Sequence, residues 1–213
     1  MKIKKYNLFE MAYPSNFSFD ILKSNKSFKS KLEYVKSILP RIGGGSSRAV
    51  FAVDDSKVLK VAKNKKGLLQ NRSEDDYVKQ QYDIVAKVFD SDRDNYFIEM
   101  ERAKKVSEKR FFQLTDISIS DLESILRYES SLDNSKIRGT VSRPIVYTDL
   151  SDNQFLIDLL SFLRDFGLMA IYGDYCRLSS FGEVIRIENE VQYPVVVLVD
   201  FGLDRSAADL YFK

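Results

Sequence analysis

Two aspartates stand where a cleft edge would be expected, and both suit phosphate and metal chemistry. Asp200 follows the apolar run Val195–Val199 and precedes Phe201 and Gly202. A carboxylate at the mouth of a buried strand is placed to hold a hard cation such as Mg²⁺ against phosphate oxygens, and the glycine lets the chain turn sharply. Asp174 lies in a glycine-containing loop, Tyr172-Gly173-Asp174, after an apolar helical stretch. Two such carboxylates can divide the work, one orienting or deprotonating an acceptor and the other anchoring the metal. Arg177 is near enough in sequence to meet either phosphate or Asp174. Taken singly, any one of these would more often be a turn or surface carboxylate.

A lysine and an acid extend the set. In a strand from Val58 to Ala62, period two places Val58, Lys60 and Ala62 on one face and Leu59, Val61 and Lys63 on the other. An ammonium flanked by apolar neighbours points into a cleft and needs a carboxylate partner, because an unpaired buried charge is costly. The following helical stretch offers Glu74, Asp75 and Asp76, and Glu74 is the expected partner. The alternative puts Lys60 on a solvated face, no different from Lys63. Upstream, Gly43, Gly44 and Gly45 lack side chains that would keep a ligand off the backbone, and Ser46 and Ser47 add hydroxyl donors. The same run also suits a flexible surface turn.

Composition narrows the field. The 213-residue chain has 33 basic and 31 acidic side chains, a net charge of +2. No global field invites nucleic acid or an anionic membrane. The lysines at 57, 60, 63, 65 and 66 read mainly as a solvated face, and Lys63, Lys65, Lys66, Arg72 and Lys79 form at most a local basic patch. There is no histidine, which excludes imidazole bases, triads and zinc sites built on histidine. A single cysteine, Cys176, permits no internal disulfide and suits a reducing compartment. The first residues lack the apolar run of a secretory signal, and no stretch is long enough to span a bilayer. The expected location is the cytoplasm, with residence in a larger particle left open.

The positioning elements read as follows. Phe17, Phe19, Ile21 and Leu22 anchor a cover over the core, and Leu32, Val35 and Ile38 form the stripe of a helix over 28–39. Residues 50–53 and 58–62 make an antiparallel hairpin around Asp54-Asp55-Ser56. This glycine-loop-then-hairpin order differs from a Rossmann or Walker site. The stretch 64–89 is expected to be a helix, with Ser73 as N-cap, Asp76 completing a capping box, Tyr77, Gln81 and Ile84 or Val85 on one face, and Val88-Phe89 at its end. A strand follows within 95–103. A helix capped by Ser120 carries Leu122, Ile125 and Leu126, and another carries Phe155, Leu156, Leu159, Leu160 and Leu163 before Gly167. Strands over 183–188 and 195–199 close the order. The fold class expected is α+β, with an N-terminal extension and antiparallel-sheet lobe over 1–102 and a reduced, mainly helical lobe over 103–213.

The order of these parts resembles that of protein kinases. It looks especially like small kinase-like proteins encoded by bacteriophages, through "SSRAVF", "VLKVAKN", "GLLQN" and a terminal "VDFGL", over about residues 38–205. The resemblance implies Mg²⁺/ATP use. Gly43 to Ser47 would cover the triphosphate, Lys60 would contact its phosphates and pair with Glu74, and Glu99, Met100 and Glu101, with Arg102, would line a hinge for adenine. Asp174 would be the catalytic-loop aspartate, with Lys60 the other catalytic group, and Asp200 would bind the metal.

The departures from the kinase pattern are specific. No histidine or arginine precedes Asp174 in the HRD manner, and Ser179 stands where kinases place a metal-binding asparagine; Glu183, the nearby acid, comes later. Only eleven residues follow Gly202, too few for an activation segment or a peptide platform. Three readings result: a minimal Mg²⁺/ATP phosphotransferase of unknown acceptor, a pseudokinase-like module binding nucleotide or a protein partner, and a phage structural component reusing the fold. A homo-oligomer, or the N-terminal thirty residues, would cover apolar surface left by missing helices.

Overall fold

Alternating apolar residues at 48–62 build the first sheet. The computed structural model describes residues 13–78, 82–133 and 139–202. Gln81, Lys79 and everything beyond Gly202 lie outside the described residues. Strands β1 (Arg41–Gly44), β2 (Arg48–Ala52), β3 (Lys57–Ala62), β4 (Val88–Ser91) and β5 (Phe97–Glu101) form one antiparallel sheet in the order β1-β2-β3-β5-β4.

The faces separate as period two demands. Leu59, Val61, Phe51 and Phe97 pack under helices α1 (Phe19–Ser24) and α2 (Phe28–Ile38). Phe17 and Phe19 join this layer and Leu22 is fully buried, whereas Ile21 points outward. The other face, with Val58, Ile98 and Met100, continues into the larger core.

Helix α3 (Lys65–Val78) crosses that second face. It begins earlier than its capping pattern suggests. The Gly67 amide donates to the Asn64 side chain, so Asn64 caps the helix, and Ser73 sits in mid-helix with its hydroxyl on the Leu69 carbonyl. Nor does the helix run to Phe89. Val85 bridges to Leu198 in the parallel sense, with Ala86 and Leu198 amides bonded across the pair, and β4 starts at Val88. Long-range strand pairing overrides the local helical pattern here.

The second part is mainly helical: α4 (Glu108–Thr115), α5 (Ile119–Asp133), α6 (Val146–Asp149) and α7 (Gln154–Asp165). The N-terminal turn of α5 is secured by Ser118, not Ser120, since the Asp121 amide donates to the Ser118 hydroxyl. Asn153 caps α7, whose Leu156, Leu159, Leu160 and Leu163 are buried, and Gly167 stops it in the left-handed conformation (φ 64°). A three-stranded sheet, β6 (Lys104–Lys105), β7 (Phe181–Glu188) and β8 (Val191–Leu198), lies against these helices. The architecture is α+β, an antiparallel-sheet lobe joined to a reduced helical one. Among the described residues no helix is long and apolar enough to cross a membrane.

Candidate functional site

The charged centre lies where α3 meets the inner face of the first sheet. Lys60, on β3, places Nζ 2.9 Å from both carboxylate oxygens of Glu74. Glu74 is fully buried and Lys60 is 6% exposed. Nζ also donates to the Val199 carbonyl at 2.6 Å, tying β3 to the residue just before Asp200. Lys63 is not its equivalent, being on the other side of the strand's end and donating to the Gly45 carbonyl.

A third member, Arg48, belongs to no catalytic motif in the sequence. The β2–β3 register pairs Val50 with Lys60 and Arg48 with Ala62, so Arg48 shares the inner face two residues outward from Val50. Its guanidinium meets Glu74 at 2.8 and 2.9 Å and the Asp200 carboxylate at 2.6 Å. The available signal was period two, which puts Arg48, Val50 and Ala52 on one face. Burial alone would push the Glu74 carboxyl up; Arg48 and then Lys60 outweigh it, and the net direction is below the ordinary carboxylate value. The Lys60 ammonium is pushed down chiefly by burial, with Glu74 pulling it back.

Close backbone approach sets the roof. Gly43 and Gly44 belong to β1 and only residues 45–47 form the turn, so the glycine run is half strand. Gly44 has φ 125°, and a Cβ there would come within 2.5 Å of the Arg48 carbonyl. A Cβ on Gly67 would lie 2.3 Å from the Ser47 carbonyl and 3.0 Å from Ala62. Gly67→Ala is therefore expected to lift the start of α3 from the glycine turn, destabilising the fold by about 1–3 kcal/mol. A thermal melt indistinguishable from the parent would contradict that packing.

Below the sheet, Asp174 closes a 3₁₀ segment (Leu168–Asp174) and pairs with Arg177 at 3.3 Å. Ser180 registers the two carboxylate-bearing segments against each other. Its hydroxyl donates to the Asp174 carbonyl at 2.6 Å, while its own carbonyl accepts from the Val199 amide at 2.9 Å.

These parts enclose one cleft of about 540 Å³, a normal size for a small-molecule site. Gly43, Gly44, Gly45, Lys60, Met100, Glu101, Asp174, Ser179 and Asp200 line it, joined by Arg48, Val50, Val58, Lys104, Lys105 and Arg177. Along β2 and β3 its surface grades from Val58 and Met100 to Lys60 and then Arg48.

Five expected residues stand apart from the cleft wall, one of them Arg102, whose guanidinium donates to the Asp54 carbonyl. Glu74 is buried behind Lys60. Ser46 and Ser47 face each other at 3.5 Å beside the turn and do not line the cleft. Glu99 lies on the outer face of the sheet, where Tyr13 donates to it at 2.6 Å and Lys57 pairs with it at 3.0 Å. Its odd position on β5, opposite in phase to Ile98 and Met100, puts it there. Glu183 is held by Arg110 in a two-pronged pair at 2.7 and 2.8 Å, which keeps its carboxyl below the usual range.

Solved structures of related outline exist. One is the ternary complex of APH(2'')-IIa with streptomycin and ATP, at 16% identity over 84% of this chain and 72% of that one, TM-score 0.32. Another is the aminoglycoside phosphotransferase APH(2'')-Ib with ADP, at 14% identity over 82% and 70%, TM-score 0.33. A third is the SAICAR synthase of Saccharomyces cerevisiae with SAICAR, at 10% identity over 75% and 72%, TM-score 0.35. No protein-family model matches the chain, and no curated protein sequence matches it.

The cleft also bears on a metal. Among the described residues no group of three acidic, cysteine or histidine side chains forms a preformed cage. Mg²⁺ commonly takes only one or two carboxylates, with waters and substrate phosphates completing its octahedron. Asp200, 60% exposed at its side chain, and Asp174 fit that role, with the exposed Ser179 hydroxyl on the same wall.

Proposed function

We propose that this chain is a Mg²⁺/ATP-dependent phosphotransferase whose nucleotide occupies the cleft between the two sheets. The observation that carries the reading is the convergence of Lys60, Asp174 and Asp200 on one cleft, with Lys60 held by buried Glu74. The apolar end at Val50, Val58 and Met100 suits a flat base. Two strand residues further along, about 7 Å, the ammonium of Lys60 suits a polyphosphate. The glycines at 43–45 leave backbone space above it. A divalent cation, when bound, would neutralise phosphate charge, with Asp200 its main protein ligand and Ser179 a further oxygen. Lys60 positions the α- and β-phosphates, and Asp174 orients or accepts the proton of an acceptor hydroxyl, its own carboxylate steered by Arg177. Arg177, Lys104 and Lys105 add positive charge at the rim, suited to an anionic nucleotide. The aminoglycoside phosphotransferases of related outline, solved with ATP and ADP, are compatible with this assignment, and the acceptor is left open.

Lys60→Ala is expected to weaken ATP binding at least tenfold and to abolish radiolabel transfer, while the fold persists because Arg48 still neutralises Glu74. Calorimetric titration and [γ-³²P]ATP turnover check both. Neither nucleotide binding nor turnover in the parent protein, across a range of Mg²⁺ and Mn²⁺, would overturn the assignment.

Two observations favour a second reading, a pseudokinase-like module that binds nucleotide without consuming it. The metal-binding carboxylate is engaged by Arg48, and serine replaces a stronger metal ligand at 179. Transfer to a defined acceptor that disappears in Asp174→Asn would exclude this alternative.

A further inference from the structure

Arg48 occupies a position with two carboxylates and one cleft, and its bonds are unequal. Toward the interior, both Nη atoms meet Glu74, which is fully buried and is also held by Lys60. Toward the cleft, Nη2 alone meets Oδ1 of Asp200, whose side chain is 60% exposed against 7% for Arg48. The inner contacts are shielded from water and anchor the guanidinium. The outer one is open to solvent and is the bond that can exchange at low cost. Asp200 is the same carboxylate that the proposed nucleotide site assigns to a divalent cation.

We propose that Arg48 is a second phosphate-binding cation, held in reserve by Asp200 until that carboxylate turns to a divalent metal. The proposal rests on the nucleotide reading of the cleft and adds to it a coupling between metal and polyphosphate. With Asp200 on Arg48, the carboxylate screens the guanidinium and is itself partly spent as a ligand. Once Asp200 turns to the cation, an N–H of Nη2 on the cleft side exchanges a carboxylate acceptor for water, a weaker partner for a guanidinium than an anion is. The cleft that Arg48 lines offers one replacement of the right charge, a phosphate oxygen beyond Lys60. A guanidinium suits this exchange because its planar fork keeps the Glu74 contacts while one arm changes partner. Metal and phosphate then favour each other's binding, and by linkage the effect is reciprocal.

The test separates this from a merely structural arginine. Arg48→Gln keeps hydrogen-bonding capacity but removes the charge from Asp200. Mn²⁺ binding measured by electron paramagnetic resonance, without nucleotide, is expected to tighten about threefold or more because the carboxylate is released. Affinity for Mg-ATP, measured by calorimetry, is expected to fall about tenfold, the loss of one charge-assisted bond. The opposite signs are the signature. Arg48→Lys retains a charge for Glu74 and guards against failure to fold; it is expected to change both affinities in the same directions by smaller factors. If the folded variants weaken both ligands together, or alter neither, Arg48 is only a support for Glu74 and the proposal is overturned. A parent protein that binds no Mg-ATP overturns the nucleotide reading itself, and the reserve role with it. A parent that binds normally beside unaffected Arg48 variants overturns the reserve role alone.

Discussion

Glu74→Ala is expected to destabilise the protein by about 3–5 kcal/mol, the range for removing one partner from a buried ion pair. The reason is the arrangement at the sheet–helix junction. Glu74 has no exposed surface and is the shared counterion of Lys60 and Arg48, themselves 6% exposed each. Without it two cations face each other in a site that water barely reaches. For a chain of this length the melting temperature should fall by about 6–20 °C, measurable by circular dichroism. A fall of less than about 3 °C would mean that the cations find other partners.

The same residue sets an acid sensitivity. Its folded-state pKa lies below the ordinary 4.5 because Arg48 and Lys60 outweigh the upward push of burial. A depressed carboxyl contributes stability that is fully present above its unfolded value and is lost as pH falls through the folded one. Stability should therefore decline on acidification below about pH 4.5, and Glu74→Gln should show a shallower decline there. Equal acid slopes for the two proteins would remove Glu74 from the account.

Asp200→Ala should do the reverse, sparing the fold and removing chemistry. Its side chain is 60% exposed, and Arg48 keeps its buried bonds to Glu74 when Asp200 is lost. The melting temperature should move by no more than about 2–3 °C, less than 1 kcal/mol for a chain of this size. On the proposed assignment of Asp200 to the metal, phosphoryl transfer should fall by about 10²–10³-fold, because such a ligand supplies several kcal/mol of transition-state charge stabilisation and each 1.36 kcal/mol is tenfold. Comparing radiolabel transfer at saturating Mg²⁺ decides it. Undiminished transfer by a folded Asp200→Ala protein would move the metal to another residue.

How much of this was legible in the chain differs from one element to the next. The hairpin around 54–56 and the α7 stripe were readable because each obeys a local period, two for a strand and near 3.6 for a helix. The start of α3 was misplaced because Ser73 and Asp76 mimic a capping box in mid-helix, while the cap in use, Asn64, precedes two lysines and a glycine without an apolar stripe. Strand β4 was hidden because its partner, β5, lies across a turn, and residues 84–86 gain their bonds from β8, more than a hundred residues later. Glu99 shows a related limit. Its neighbours Ile98 and Met100 do face inward, and reading the hinge as a continuous run ignored the alternation that turns Glu99 out toward Tyr13.

By itself the sequence determined which chemical groups exist and which local surfaces they ride on. The absence of histidine left carboxylates, lysines and arginines to carry any catalysis, and alternation along β3 already put Lys60 on the face with Val58. The Lys60–Glu74 pair was also readable, whereas only the tertiary structure decided that Arg48 meets both Glu74 and Asp200. The Arg48–Asp200 contact joins residues 152 positions apart, and Ser180 registers the Asp174 segment against the end of β8. Local propensity carries no information about such pairings; they arise when sheet, helix and the last strand pack together and every buried charge must find its counterion.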